Sequence, residues 1–407
     1  MDESSELSRR EILKAGFASI PLVTSLSFMP WTAYSETIKN IEPLKIVKAE
    51  SYLLRIPVGP LKVDSQSTVN AWDVLAVKLT SQSGIEGWGY QGGFGPSMLA
   101  LKVFIDKTLI PDIIGQDARM HKKWWGELYL MRHHIGLDGT SFQGVSAPEV
   151  AAWDMVSKAA GQPLWMLLGG SSRKRILCYD TNCGWLGYTY NELLDNVRRS
   201  LDMGFRGVKI KIGSEDFRED FRRLTAVRKL VGPDIIVSTD VNNKWDLQKA
   251  LICAPALTDL DIAWLEEPLY PFDVVGHAEL AAAVDTPLLH GENIYDPLMF
   301  RDMLNANAMD IVQPTEMKLS GITRWIEVAA MARTEGKRVI PAGWTLMQIV
   351  QHLAAATPHC WIVERMAPWI HDILKDPARF EDGHVVVSNR PGASTEIKSE
   401  ALGKYAI

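Results

Sequence analysis

Ile235-Ile236-Val237-Ser238-Thr239-Asp240, Ile262-Ala263-Trp264-Leu265-Glu266 and Pro287-Leu288-Leu289-His290-Gly291-Glu292 are three apolar runs that each close on a carboxylate. Asp240, Glu266 and Glu292 follow one another at equal steps of 26 residues. A step of that length holds one strand, one helix and their loops. Equal placement at strand ends brings the carboxylates to one rim. In a (β/α)8 barrel the C-terminal strand ends form such a rim, and active sites sit there. Three acidic groups on one rim repel one another unless a cation lies between them. Few, hard oxygen ligands suit Mg²⁺, so Asp240, Glu266 and Glu292 are the expected metal ligands.

The rest of the chain fits around that repeat. From Arg175 onward apolar strands alternate with amphipathic helices, with strands expected near 176–181, 206–211, 235–240, 261–266, 286–292, 309–313, 337–341 and 360–364. That alternation predicts a parallel barrel. An open doubly wound sheet for a dinucleotide is disfavoured, because no Gly-x-Gly-x-x-Gly follows the first strand. Ahead of it, Lys45–Leu54 and Asp73–Thr80 alternate apolar and polar residues and predict antiparallel strands, with Pro57–Asn70 as a mobile loop between them. Helices are expected over Met98–Thr108, Met120–Met131 and Ala147–Ala160. The expected division is an α+β capping domain over 45–170, a barrel over 175–375, and a tail over 376–407. The tail is expected to hold a strand at His384–Ser388 and to return to the first domain.

The chain has 407 residues, 47% of them hydrophobic and 23% charged, with a net charge of −6. That mild acidity gives no electrostatic footprint for nucleic acid. Cys178, Cys183, Cys253 and Cys360 lack zinc spacing and are expected as buried thiols, with a Cys178–Cys360 bridge as the lesser alternative. At the N-terminus, Ser8-Arg9-Arg10-Glu11-Ile12-Leu13-Lys14 resembles the twin-arginine export motif, and an apolar stretch follows to Met29. Residues 1–35 are therefore expected to be a signal peptide, too short and too Pro-interrupted for a stable membrane anchor. The twin-arginine export machinery is the implied partner and the periplasm the implied destination.

Val208-Lys209-Ile210-Lys211-Ile212-Gly213 closes the second barrel strand. Alternation puts Lys209 and Lys211 on one face, pointing into the barrel mouth. One reading is a salt bridge to the acidic cluster. The other is that each ammonium disfavours the other's charge, lowering a pKa until one lysine serves as a general base.

With these residues in order, the chain resembles the enolase superfamily, mandelate racemase/muconate lactonizing enzyme-like subgroup, whose architecture is an α/β modified TIM barrel, (β/α)7β, with an α+β capping domain. The likeness runs from Val77–Gly89 and Ala151–Gly170 in the cap to Lys209, Lys211, Asp240-Val241-Asn242, Glu266-Glu267-Pro268, Gly291-Glu292-Asn293 and Val363-Glu364-Arg365 in the barrel. It implies Mg²⁺ on Asp240, Glu266 and Glu292, proton abstraction beside a carboxylate by Lys211 with Lys209 as its partner, and substrate contacts from Asn242 and Glu364. It also implies a homo-oligomer. Two usual residues are absent. Thr315 stands where relatives have a strand-six Asp or Lys, and Ala342 or Trp344 stands where they have a strand-seven His, so Thr315 and Trp344 are expected as substrate contacts. Tyr90 stands where the family often has Glu, and Trp185 is a candidate pocket residue.

Racemisation needs an acid and a base on opposite faces of the carbon. Elimination can proceed with one lysine if a group helps the hydroxyl leave. The expected activity is thus that of an Mg²⁺-dependent, dehydratase-like lyase acting on a hydroxylated carboxylate, with a sugar acid as the expected substrate. The alternatives are an epimerase, racemase or cycloisomerase, and a periplasmic binding protein that has lost catalysis. His290, two residues before Glu292, is the candidate acid. His133 and His134 are surface candidates. Lys318 is expected lower in the barrel, paired with Glu364 and not acting as a base.

Overall fold

The computed structural model describes residues 43–132, 136, 138–170, 173–344, 347–366 and 368–407. The proposed signal segment 1–35, and His133 and His134, lie outside the described residues. No helix among the described residues is long and apolar enough to cross a membrane.

The cap sheet is β1 (Ile46–Val63), β2 (Thr68–Ser81) and β3 (Glu86–Gly93), antiparallel in that order. The segment expected as a mobile loop is instead mostly strand: β1 and β2 stay paired from Ile46 to Val63 with a shift in register between Pro57 and Lys62. The bulge absorbs Pro57, Gly59 and Pro60, which cannot all follow a regular ladder, and pairing resumes beyond it. Only 64–67 remain as the hairpin tip.

The helix Thr140–Ala159 lies on β3 and begins seven residues earlier than Ala147, the start expected from the sequence. Pro148 reads locally as a helix start, but tertiary packing carries the helix through it. The packing is close because β3 presents Gly87 and Gly89: a Cβ on Gly89 would lie 2.1 Å from the Ala147 carbonyl oxygen. Gly89→Ala is therefore expected to push helix from sheet and destabilise the fold by about 3 kcal/mol, read as a lowered unfolding temperature. An unchanged Tm would contradict this packing.

The barrel strands are β4 (Arg175–Asp180), β5 (Gly207–Lys211), β6 (Ile236–Asp240), β7 (Leu265–Glu266), β8 (Leu288–His290), β9 (Ile311–Val312), β10 (Arg338–Val339) and β11 (Val363–Arg365). Each is parallel to its neighbour. The ring closes through the β11–β4 pair and a bridge from Val339 to Cys360. Helices such as Tyr190–Asp202, Phe217–Val231 and Ile322–Thr334 connect the strands. The first starts with a reciprocal Thr189–Glu192 cap, which satisfies orphan amides at its N-terminus. Tyr179, Trp264, Leu289, Ile311, Ile340 and Ile362 pack into a buried cluster contributed by strands around the ring.

The tail first forms β12 (Arg379–Glu381) and β13 (His384–Val386), and β13 pairs antiparallel with β4. The tail strand thus joins the barrel's first strand, and only the residues after it return to the cap. There Ala393 donates its amide to Asp154, Thr395 bonds the Trp88 carbonyl, and Ala406 bridges Leu54. The four cysteines are free and buried, so Cys178 and Cys360 form no bridge despite sitting beside adjacent strands.

Candidate active site

The two lysines close β5 as alternation requires, and both are buried. Lys211 Nζ donates to Asp240 Oδ2 at 2.5 Å and to Asn242 Oδ1 at 2.9 Å. Lys209 Nζ lies 2.8 Å from Glu266 Oε1, 2.7 Å from Glu364 Oε1 and 3.4 Å from Asp240 Oδ2. Parallel register puts Lys211 beside Asp240 and Asp240 beside Glu266, which is why strand-end residues spaced by a whole βα unit become neighbours. Glu364 also accepts from Thr181 Oγ1 at 2.5 Å and from the Gly343 amide at 2.8 Å.

The electrostatics correct one expectation. Burial pulls the Lys211 ammonium down most strongly and Lys209 adds to it, but Asp240 together with Glu292 and Asp64 outweighs both, so its pKa is raised. Lys209 is likewise raised, with Glu266 and Glu364 overcoming burial. Asp240 and Glu364 are pushed up by burial but held below the usual carboxylate range by the two lysines. The salt-bridge reading of the lysine pair therefore describes this arrangement.

The same pairing affects the expected ion site. Among the described residues, no three acid, imidazole or thiol groups are gathered so as to grip an ion. The ammonium groups stand where a cation's charge would act. The donor set still fits Mg²⁺. Glu266 and Glu292 are each pushed up to about 8, by burial first and then by neighbouring acids against the pull of the lysines. Their charged forms are under-compensated by the protein, and a hard divalent cation is the partner that all-oxygen ligands favour. When bound there, Mg²⁺ would supply Lewis-acid stabilisation for negative charge developing on a substrate carboxylate.

Glu267, next in sequence, acts differently. Its carboxylate takes Asn243 Nδ2 at 2.9 Å and Asn293 Nδ2 at 2.9 Å, tying the loops after β6 and β8 together behind the acids. Gln313 Nε2 reaches Glu266 Oε1 at 3.0 Å. Neither role was expected from the sequence.

A cavity of about 460 Å³ opens over these groups, lined by Lys209, Lys211, Asn242, Glu292 and Glu364 from the barrel. Trp344 and Trp185 line it as expected, with Lys211 Nζ 5.8 Å from the Trp185 ring centre. The cap contributes Asp64, Gln66, Trp72 and Phe94. Its hairpin tip is anchored on the loop after β6: Ser65 Oγ donates to the Val241 carbonyl at 2.5 Å and Gln66 Nε2 to the Asn242 carbonyl at 2.9 Å.

Two expected site residues sit elsewhere. Thr315 is fully buried, does not line the cavity, and its hydroxyl has no hydrogen-bond partner among the described residues. β9 ends at Val312, so strand alternation no longer governs position 315, and Gln313 provides the inward contact. His290 does not line the cavity either. Its Nε2 bonds the Pro271 carbonyl at 2.9 Å and its ring lies 4.3 Å from that of His277. Gly291 follows it with a φ of 131°, so the strand rule that would put His290 and Glu292 on one face fails. Burial lowers the His290 pKa to about 3, leaving it neutral. Lys318 does reach the cavity wall, bonded to Tyr295 Oη at 3.1 Å rather than to Glu364. Tyr90 is turned away, donating to Gln348 Oε1 at 2.6 Å.

Residues 192–401 match the enolase C-terminal domain-like model, and residues 49–169 match the mandelate racemase/muconate lactonizing enzyme N-terminal domain. The chain belongs to the enolase superfamily. An L-talarate/galactarate dehydratase of Salmonella typhimurium is 31% identical over 90% of this chain and 91% of its own length. A 3,6-anhydro-alpha-L-galactonate cycloisomerase of Streptomyces coelicolor is 28% identical over 89% of this chain and 99% of its own. The solved Salmonella dehydratase with Mg and L-lyxarohydroxamate superposes with a TM-score of 0.84 at 28% identity, covering 89% of this chain and 93% of that one. With these family assignments, the protein is a metal-dependent enzyme of the superfamily that includes acid-sugar dehydratases and cycloisomerases.

Proposed function

We propose that this protein is an Mg²⁺-dependent acid-sugar dehydratase that takes the α-proton of a hydroxylated carboxylate with Lys211 and expels the β-hydroxyl as water. The observation that carries the reading is Lys211 itself. It is buried, lines the cavity, and sits between the first acid, Asp240, and the substrate-side amide of Asn242. With Asp240 and Glu292 committed to a cation, most of the negative charge that keeps Lys211 protonated is cancelled. The repulsion of Lys209 then remains, which favours the neutral amine a base requires. Asn242 and Glu364 orient the carboxylate end of the substrate, and the cap tip and aromatic wall exclude water. The loop after β10 carries Trp344 rather than an imidazole, so no histidine faces Lys211 from there. That removes the imidazole of a lysine–histidine racemase pair and favours elimination.

The relatives support the class: one is named a dehydratase of talarate and galactarate, another a cycloisomerase of an anhydro-galactonate. Cycloisomerisation would begin with the same proton abstraction. Residues 1–35, with Arg9-Arg10 ahead of an apolar stretch, support delivery to the periplasm by the twin-arginine route.

The test is incubation with Mg²⁺ and a panel of aldarates and aldonates in D₂O. Formation of a 2-keto-3-deoxy acid, with deuterium appearing in recovered substrate or product, is the expected result. Rearrangement without loss of water would assign an isomerase instead. Neither exchange nor conversion across the panel would point to a binding protein.

A further inference from the structure

The barrel order places β5 and β9 four positions apart in a closed ring of eight strands, so their ends stand across the mouth from each other. Lys209 and Lys211 close β5, and Lys318 follows Val312, the last residue of β9, by one short loop. All three lysines line the same cavity. Their environments differ. Lys209 and Lys211 are bound to carboxylates, whereas Lys318 pairs with none among the described residues. Its Nζ is held by the Tyr295 hydroxyl and stands 5.1 Å from that ring's centre. Tyr295 also lines the cavity, so the pair presents a positioned ammonium to whatever lies opposite Lys211.

We propose that Lys318 is the general acid that protonates the departing β-hydroxyl. The proposal rests on the dehydratase reading and supplies the acid left unassigned because His290 lies outside the cavity. The balance is as follows. The Lys211 amine takes the Cα proton, and the released electron pair forms the Cα–Cβ double bond as the Cβ–O bond breaks. The hydroxyl accepts a proton from the Lys318 ammonium and leaves as water. The resulting enol takes up its ketone form, and the two lysines return to their starting states by exchange with solvent. Base and acid on opposite walls give an anti elimination.

The deciding experiment compares the parent enzyme with Lys318→Met, using Mg²⁺ and galactarate, or whichever acid of the panel the parent converts, in D₂O. Lys318 is only partly buried, so the variant is expected to keep its fold, checked by an unchanged Tm. Dehydration should fall at least about 100-fold, within the range a general acid contributes, while deuterium still enters Cα of recovered substrate. The 3-deoxy-3-fluoro analogue, whose leaving group needs less protonation, should be eliminated by the variant within about tenfold of the parent rate. If exchange and dehydration fall together with a raised KM, Lys318 anchors the substrate and the proposal fails. It fails equally if dehydration is unchanged. A parent enzyme that neither exchanges nor dehydrates any acid overturns the dehydratase reading, and this proposal with it.

Discussion

Lys211→Ala is expected to eliminate deuterium exchange at Cα and to lower kcat by about 10³-fold or more, with little change in unfolding temperature. The size follows from the role. No other side chain on β5 approaches the cavity except Lys209, and Lys209 is enclosed by Glu266, Glu364 and Asp240. Glu364 lies outside the ion site and holds Lys209 at 2.7 Å, so the Lys209 charge persists when Asp240 and Glu266 turn to the cation, and it cannot stand in as a base. The fold should tolerate the change, because Asp240 keeps Lys209 at 3.4 Å and the amide of Asn242 at 2.8 Å. The variant therefore separates chemistry from binding: KM should move far less than kcat. Here the contrast with Lys318→Met is diagnostic. Losing the base stops exchange and elimination together, whereas losing the acid stops elimination alone. Exchange that persists in Lys211→Ala within about tenfold of the parent would remove this lysine from the chemistry.

How much of this was legible in the sequence depended on how local the determinant was. The equal spacing of Asp240, Glu266 and Glu292 located three barrel strands, because a βα unit has a nearly fixed length. Lys209 and Lys211 were placed correctly because β5 is a regular strand up to Lys211. The rule of alternation failed where strands stop. β9 contains only Ile311 and Val312, so Thr315 was misplaced and Gln313 was missed. At β8, the positive φ of Gly291 turned His290 away from Glu292. The β1–β2 hairpin was mistaken for a loop because its Pro and Gly content is a local cue, while its pairing and its anchoring on Val241 and Asn242 are long-range. Lys318 was placed low in the barrel for the same reason. Its partner, Tyr295, comes from a different βα loop, and nothing in the intervening sequence announces the contact. Alternation brings Lys209 and Lys211 together but leaves their distances to the acids open, so the sequence allowed both a salt bridge and a lowered pKa, and the close acids favour the first.

Mg²⁺ binding to the metal-stripped protein at pH 7 is expected to release protons, with affinity rising from pH 6 to about pH 8 and levelling above it. Without a cation, burial pushes Glu266 and Glu292 up to about 8, so an ion settling on them displaces protons near neutrality. Only the carboxylate form is a ligand, so each proton displaced makes affinity rise about tenfold per pH unit below 8. Calorimetry in two buffers of different ionisation enthalpy counts the protons directly. The same linkage fixes the sign for stability. These acids have folded pKa values above their ordinary value of 4.5, so the stability they contribute is complete below about 4.5 and is lost as pH rises toward 8. Saturating Mg²⁺ reverses that loss, and the increment it gives to Tm should be larger at pH 8 than at pH 6. Glu292→Gln sharpens the test. It should weaken Mg²⁺ at pH 8 by about 100-fold and reduce the proton count by one, while raising the Tm of the metal-free protein at pH 8, where the parent carries an under-compensated buried charge. Binding without proton release, or a Glu292→Gln variant with parental affinity, would place the ion somewhere other than on the acids that close β6, β7 and β8.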